Sequence, residues 1–454
     1  MISHHEDASP LELNADLSAE LVAKLQQNAN YALADDDRTR LDFWPGPVTW
    51  RQPIHTVYIP AEQFDAGIAK AWGEEGLANW RKHAGSRNNI ADYLGVTTAL
   101  AAEVAPLVET KLQIEPVEDL RIDFEDGFTQ HGVAAQDKDA DEDAHLGRAV
   151  EVCAKKAPAP FWGLRFKCFE APNRDRGIRT LVFFLLALGK RSALPPGRTL
   201  RLTFPKVTST RQVENLVSIL AELEKTLGLD EGAISFEIQV ETPQSIIGRN
   251  GNSPLPDFIT AGSGRVLSLH YGTYDYSAFL GVAAADQALD HPVADHAKDI
   301  MQTAVAGRGV ELSDGSTNLL PVGARDGIRI GWTVHGHLVG RHLARGIWQG
   351  WDLHPNQLPT RFAATYAFFR QRTPQALERL DAYLARRSGA FADEPATAKA
   401  LASFLFRALN CGAVSETEIV SACGVGRDEL VDLTRNGASK WSTPQSPNTG
   451  RSMT

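Results

Sequence analysis

The feature that most constrains this chain is a set of short runs in which polar and apolar residues alternate strictly. Arg121, Asp123 and Glu125 share one strand face, with Ile122 and Phe124 opposite; Arg165 and Lys167 oppose Leu164 and Phe166. Arg201 and Thr203 oppose Leu202 and Phe204, and Glu237, Gln239 and Glu241 oppose Phe236, Ile238 and Val240. Ser268 and His270 oppose Leu267 and Leu269. Successive strand side chains point to opposite faces, so each run carries one apolar and one polar face. Parallel strands covered on both sides by helices read instead as continuous apolar runs. Two arrangements accept such a polar face. An open sheet can turn it to water, or a closed barrel can turn it inward while the apolar face packs under outer helices. An isolated ion inside a barrel costs several kcal/mol, so inward charges must pair. Here they balance: Asp123, Glu125, Glu237 and Glu241 against Arg121, Arg165, Lys167 and Arg201. The balance favours the barrel, an α/β chain with a (β/α)8 TIM-barrel core.

Strands are expected at His55–Pro60, Leu120–Glu125, Trp162–Cys168, Leu200–Lys206, Ser235–Glu241 and Val266–Tyr271, with helical material between them. Weaker runs at Gly309–Leu312 and Trp351–His354 complete eight. At 454 residues the chain exceeds the ~250 that one barrel needs. The surplus is placed in a helical extension over 1–50, an insertion at about 74–115 within a barrel spanning 51–360, a helical region over 361–441, and a disordered Ser/Pro/Thr/Gly-rich tail over 442–454. A net charge of −10 argues against nucleic acid or an anionic membrane as the main partner. Cys153, Cys168, Cys411 and Cys423 lack metal-ligand spacing and suit free thiols in a reducing compartment. With no apolar N-terminal signal and no run long enough to span a bilayer, a cytoplasmic location is expected.

Active sites of such barrels lie at the C-terminal strand ends. The polar groups there are Glu125, Asp126, Arg165, Lys167, Lys206, Glu241 and Asp275. Several carboxylates without a cysteine or histidine cluster suit a hard cation such as Mg2+, with Mn2+ as the alternative. An arginine facing that cation can grip a substrate carboxylate or steady an enolate oxygen, the charge that develops when a C–C bond beside a carbonyl breaks.

Six stretches in order, Asp123-Phe124-Glu125-Asp126, Leu164-Arg165-Phe166, Phe204-Pro205-Lys206-Val207, Val240-Glu241-Thr242, Tyr271-Gly272-Thr273-Tyr274-Asp275-Tyr276 and Gly350-Trp351-Asp352-Leu353-His354-Pro355, resemble the successive motifs of the HpcH/HpaI aldolase and citrate lyase β-subunit superfamily. The resemblance covers roughly Thr56 to Gln357. It implies a carbon–carbon lyase acting on a small 2-oxo or 3-hydroxy carboxylic acid through a metal-stabilised enolate. Glu241 and Asp275 would be the magnesium ligands and Arg165 the substrate-carboxylate contact, with Glu125 and Asp126 supporting the metal or its water. It also implies a homo-oligomer, trimer or hexamer, in which a C-terminal segment sometimes completes a neighbour's site. Two departures stand out. The family's first strand ends in Pro-Gly after a basic-serine pair that helps hold coenzyme A, whereas this chain has Ile54-His55-Thr56 to Pro60-Ala61. Thr273-Tyr274 also stands where citrate-lyase-like members often carry an acid beside the aspartate.

Each site residue has a plainer reading. Glu241 and Asp275 could be helix-start acids, and Arg165 a partner of a lumen carboxylate. Lys206 could form a Schiff base, but neutralising nearby acids is the simpler role. His270, on the polar face of its strand, is a candidate proton shuttle. His335, His337 and His342 suit packing or surface positions on a helix, His354 a structural role, and Trp348 and Trp351 the core. Two rival functions stay open: an acyl-CoA lyase or malate-synthase-like condensing enzyme, and a non-catalytic barrel that binds a metal–carboxylate complex.

Overall fold

The computed structural model describes residues 15–84, 87–385 and 394–437. The tail over 442–454 lies outside the described residues. The chain divides into residues 1–46 and 47–454. The first unit contains the 29-residue helix Ala15–Phe43.

In the second unit eight parallel strands form the barrel: β1 (His55–Pro60), β2 (Asp119–Asp123), β3 (Phe161–Arg165), β4 (Leu202–Phe204), β5 (Phe236–Val240), β6 (Val266–Tyr271), β7 (Glu311–Ser313) and β8 (Gly350–Asp352). Each pairs with its sequence neighbour, and β1 also pairs with β8. A parallel bridge between Ser313 and Gln349 brings β7 to β8, so the sheet closes on itself. The apolar faces lie outside, where Leu120, Ile122, Leu164, Leu202, Phe204 and Ile238 are fully buried under the helices.

The lumen is polar and paired. Arg121 lies between Asp119 and Glu237, 2.7 Å from the latter, and Arg201 Nη1 meets Glu311 Oε2 at 2.6 Å. Pairing of this kind is what makes buried charge tolerable. Two residues assigned to the lumen are not in it. β3 ends at Arg165 and β2 at Asp123, earlier than the alternation suggests. Beyond the last ladder hydrogen bond the chain no longer keeps its two-residue period. Lys167 turns outward to the Phe124 carbonyl (2.7 Å) and Glu142 (3.3 Å), and Glu125 enters a loop.

The β1–β8 seam is fixed by Asp352, which contacts His55 Nδ1 (2.8 Å), His335 Nε2 (3.1 Å) and Arg361 Nη2 (2.8 Å). Burial would raise this carboxyl, but Arg361 and the two histidines hold it well below its usual range. His342 bonds the Ile347 carbonyl and Arg361, His337 is exposed, and His354 accepts from the Asn356 N–H.

The region after β1 contains helices Ile68–Asn79, Arg87–Leu94 and Thr98–Ile114, the last capped by Thr97. After β8 come helices Leu358–Leu384, Pro395–Asn410, Glu416–Cys423 and Arg427–Asn436. Helix Pro395–Asn410 packs on helix Leu358–Leu384, with Phe404 meeting Phe369 at 5.1 Å between ring centroids, and reaches the barrel where Arg407 Nη1 bonds Gln52, just ahead of β1. The Gln52 contact sets helix Pro395–Asn410 toward the N-terminal end of the strands, opposite the pocket. All four cysteines are free thiols. Among the described residues no helix is long and apolar enough to cross a membrane.

Candidate functional site

At the C-terminal strand ends a cavity of about 530 Å³ opens, lined by Arg165, Gln239, Glu241, Asp126 and Asp275, with Tyr58, Trp72 and Trp351. β5 runs directly into Glu241, which is 1% exposed. Its Oε1 accepts from the Lys206 backbone N–H at 2.8 Å and its Oε2 from Gln239 Nε2 at 2.5 Å. After β6 the chain passes Gly272, where any Cβ would stand 2.4 Å from the Glu241 Cβ. That close approach sets Asp275, in the first turn of helix Thr273–Phe279, beside Glu241. Thr273 and Tyr274 hold the turn by donating to the Ser316 carbonyl at 3.1 and 3.2 Å. After β2, Asp123 accepts from the backbone N–H groups of Glu125 and Gly127 at 3.0 and 2.9 Å, folding the loop that carries Asp126. One carboxylate oxygen from each of Asp126, Glu241 and Asp275 then falls within 4.8 Å of the others.

The donor set fits Mg2+: three hard oxygen ligands, one buried and two open to solvent and substrate. The electrostatics point the same way. Burial, reinforced by the neighbouring Asp275 and Asp126 and only partly offset by Lys206, pushes Glu241 up to about 8. Burial and the adjoining Asp126 carboxyl likewise push Glu125 up to about 7. Ionising Glu241 therefore weighs against the metal-free fold, with stability lost as pH rises from its unfolded value toward about 8. A cation must displace that proton. Mg2+ affinity is accordingly expected to rise by up to about tenfold per pH unit from about 6 to 8 and then level off. Titration calorimetry in several buffers checks this, and a pH-independent affinity with no proton release would contradict it.

Lys206 neutralises the cluster. Its Nζ donates to Asp126 (2.9 Å), Asp275 (3.2 Å) and Glu125 (3.3 Å). Its φ of +51° is uncommon for a residue with a Cβ, and it presents the N–H to Glu241 and the ammonium to the other acids. Burial alone would lower its pKa, but the four carboxylates raise it above that of an ordinary lysine. An amine held charged in this way is a poor nucleophile.

Arg165 is 3% exposed and held flat, its guanidinium 4.8 Å from the Tyr58 ring centroid and 5.5 Å from that of Trp351. Its Nε and Nη2 bond Asp123 at 2.7 and 2.5 Å. The two-donor fork expected for substrate is thus engaged by Asp123, and Nη1 is left to face Gln239 (3.2 Å) and Asp126 (3.7 Å). His270 lies elsewhere. It is buried inside the barrel, its Nε2 3.1 Å from Glu237 without hydrogen-bond alignment, and it does not line the pocket. Sequence reasoning passed over Tyr58 and Gln239 and assigned Trp351 to the core. The available signal was position: Tyr58 shares the inward face of β1 with Thr56.

This fold and site are those of a barrel with a cluster of carboxylates at its mouth, and comparison with solved structures finds similar chains. A citrate lyase from Burkholderia xenovorans LB400 superposes with a TM-score of 0.55 at 18% identity, covering 82% of this chain and 97% of that one. The citrate lyase β subunit of M. tuberculosis, complexed with oxaloacetate and magnesium, gives 0.39 at 15% identity over 69% and 96%. A Haloferax volcanii malate synthase in a magnesium/glyoxylate complex gives 0.45 at 14% over 83% and 97%. The likeness to the first of these shows a shared barrel fold. The chain itself belongs to the family described as "Domain of unknown function (DUF6986)", whose model matches residues 33–437. No curated protein matches it.

Proposed function

We propose that this chain is a Mg2+-dependent carbon–carbon lyase that acts on a small 2-oxo or 3-hydroxy carboxylic acid. The observation that carries the reading is the convergence of Asp126, Glu241 and Asp275 within 4.8 Å at the strand ends, beside the fixed guanidinium of Arg165. Glu241 and Asp275 would hold the ion, with Asp126 as a third oxygen. Bound there, Mg2+ supplies a Lewis acid for charge developing on a substrate carbonyl oxygen. Asp123 locks the plane of Arg165, so that Nη1 meets a substrate oxygen without reorganising. Lys206 keeps the acids from repelling one another apart, and Glu125 and Asp126 are held in place by their shared loop and that ammonium.

The test pairs two treatments. EDTA is expected to stop turnover of a 2-oxo-acid panel, and Mg2+ to restore it. Borohydride with pyruvate is expected to leave no adduct on Lys206 by mass spectrometry. A stable mass gain on Lys206 together with EDTA-resistant turnover would overturn the metal reading.

A further inference from the structure

The pocket has two walls of different chemistry. In a closed eight-stranded barrel of this order β1 stands opposite β5. The loops after β2, β5 and β6 bring in the acids, whereas β1, β8 and the segments after them bring Tyr58, Pro60, Trp72, Trp351 and Leu353. Tyr58 turns its hydroxyl down to Thr203 and Glu237, at 3.3 and 3.1 Å, and so offers only its ring to the cavity. The Trp351 ring lies against it at 4.1 Å between centroids. Gln63, which completes this side, is uncharged, and the Arg165 guanidinium borders it, over the Tyr58 and Trp351 rings. The cations nearby are committed: Arg165 to Asp123 through two of its donors, Lys206 to three acids.

We infer that the end of the substrate remote from its 2-oxo-acid unit is an alkyl or aryl group. Among the described lining residues a second carboxylate there would find only Arg165 Nη1, already assigned to the 2-oxo-acid head, as a counter-ion for its lost hydration, whereas an apolar tail would bury against three aromatic rings. The inference rests on the lyase reading and narrows it. A 4-hydroxy-2-oxo acid would break its C3–C4 bond: the C4 hydroxyl loses its proton and C4 leaves as an alkyl or aryl aldehyde. The bonding pair stays on C3 as an enolate, which takes up a proton to give pyruvate. Atoms and charge balance without a co-reactant.

Binding without turnover tests it. With Mg2+ present, calorimetry compares pyruvate, 4-phenyl-2-oxobutanoate and 2-oxoglutarate, which share a head and differ in tail. The phenyl compound is expected to bind at least about tenfold tighter than 2-oxoglutarate, the range an apolar pocket discriminates. In Trp72→Ala and in Leu353→Ala that ratio is expected to fall several-fold; both sites are half-buried at the rim, and the melting temperature of each variant verifies its fold. Equal or tighter binding of 2-oxoglutarate, or an unchanged ratio in both folded variants, would overturn the inference while pyruvate binding leaves the lyase reading intact. Failure of all three acids to bind would remove the lyase reading, and this inference with it.

Discussion

Glu241→Gln and Asp275→Asn are each expected to abolish Mg2+-dependent turnover while leaving the fold intact. The loss should exceed about 100-fold, the upper range for removing groups that merely support metal ligands. Each change removes one negative charge from the oxygen cluster but nearly preserves side-chain volume. In Glu241→Gln the amide oxygen can still accept the Lys206 N–H, so the turn after β4 keeps its anchor, while the bond from Gln239 Nε2 is lost. The substitution also removes a carboxyl whose ionisation is opposed by burial. Without metal, its melting temperature relative to the wild type should therefore rise as pH increases toward about 8. The gain in melting temperature on adding Mg2+ should vanish in both variants. Wild-type turnover and metal affinity in either one would contradict the assignment.

Arg165→Lys is expected to lower kcat/KM by roughly tenfold or more, at least about 1.4 kcal/mol of transition-state stabilisation. A lysine keeps the charge that offsets Asp123, so the lumen stays neutral. It cannot bond both Asp123 oxygens and still present a third donor to the pocket, as Arg165 does with Nη1. It also cannot stack as a plane against Tyr58 and Trp351. If Arg165 serves only as a counter-ion to Asp123, activity loss should follow the melting temperature downward. If it contacts substrate, the pH profile and melting temperature should stay close to the wild type while kcat/KM falls. Near-normal kcat/KM in a well-folded Arg165→Lys protein would remove the residue from the site.

The barrel interior was legible because a two-residue period of charged and apolar residues has few physical solutions, and Arg121, Asp123, Arg165, Arg201 and Glu237 all lie on the side it assigned. The same period gave false members at the strand ends. Glu125 and Lys167 keep the alternation in sequence, but the strands end two residues before each. Periodicity alone carries no mark of where pairing ceases. Partners were less legible than faces. Nothing in the sequence said that Asp123 would take the Arg165 fork, because the match depends on the β2–β3 register, which sets the two side by side. Neutral aromatics were the least legible. Trp351 reads as core because a tryptophan in a core and one lining a cavity have the same composition signal, and only closure of β8 against β1 puts its ring over the pocket floor. His270 illustrates the reverse error: its inward face was read correctly, but its depth in the strand places it beside Glu237 rather than at the mouth.

The most direct measurement of the central claim is a crystal structure of the protein with Mn2+, as an anomalous scatterer in place of Mg2+, and oxalate as a non-reacting 2-oxo-acid mimic. One anomalous peak is predicted at the strand ends, with oxygens of Glu241 and Asp275 about 2.0–2.2 Å away, oxalate completing the coordination and Lys206 Nζ drawn off Asp275. An absence of anomalous density between these carboxylates, with Lys206 still spanning Asp126 and Asp275, would contradict the account.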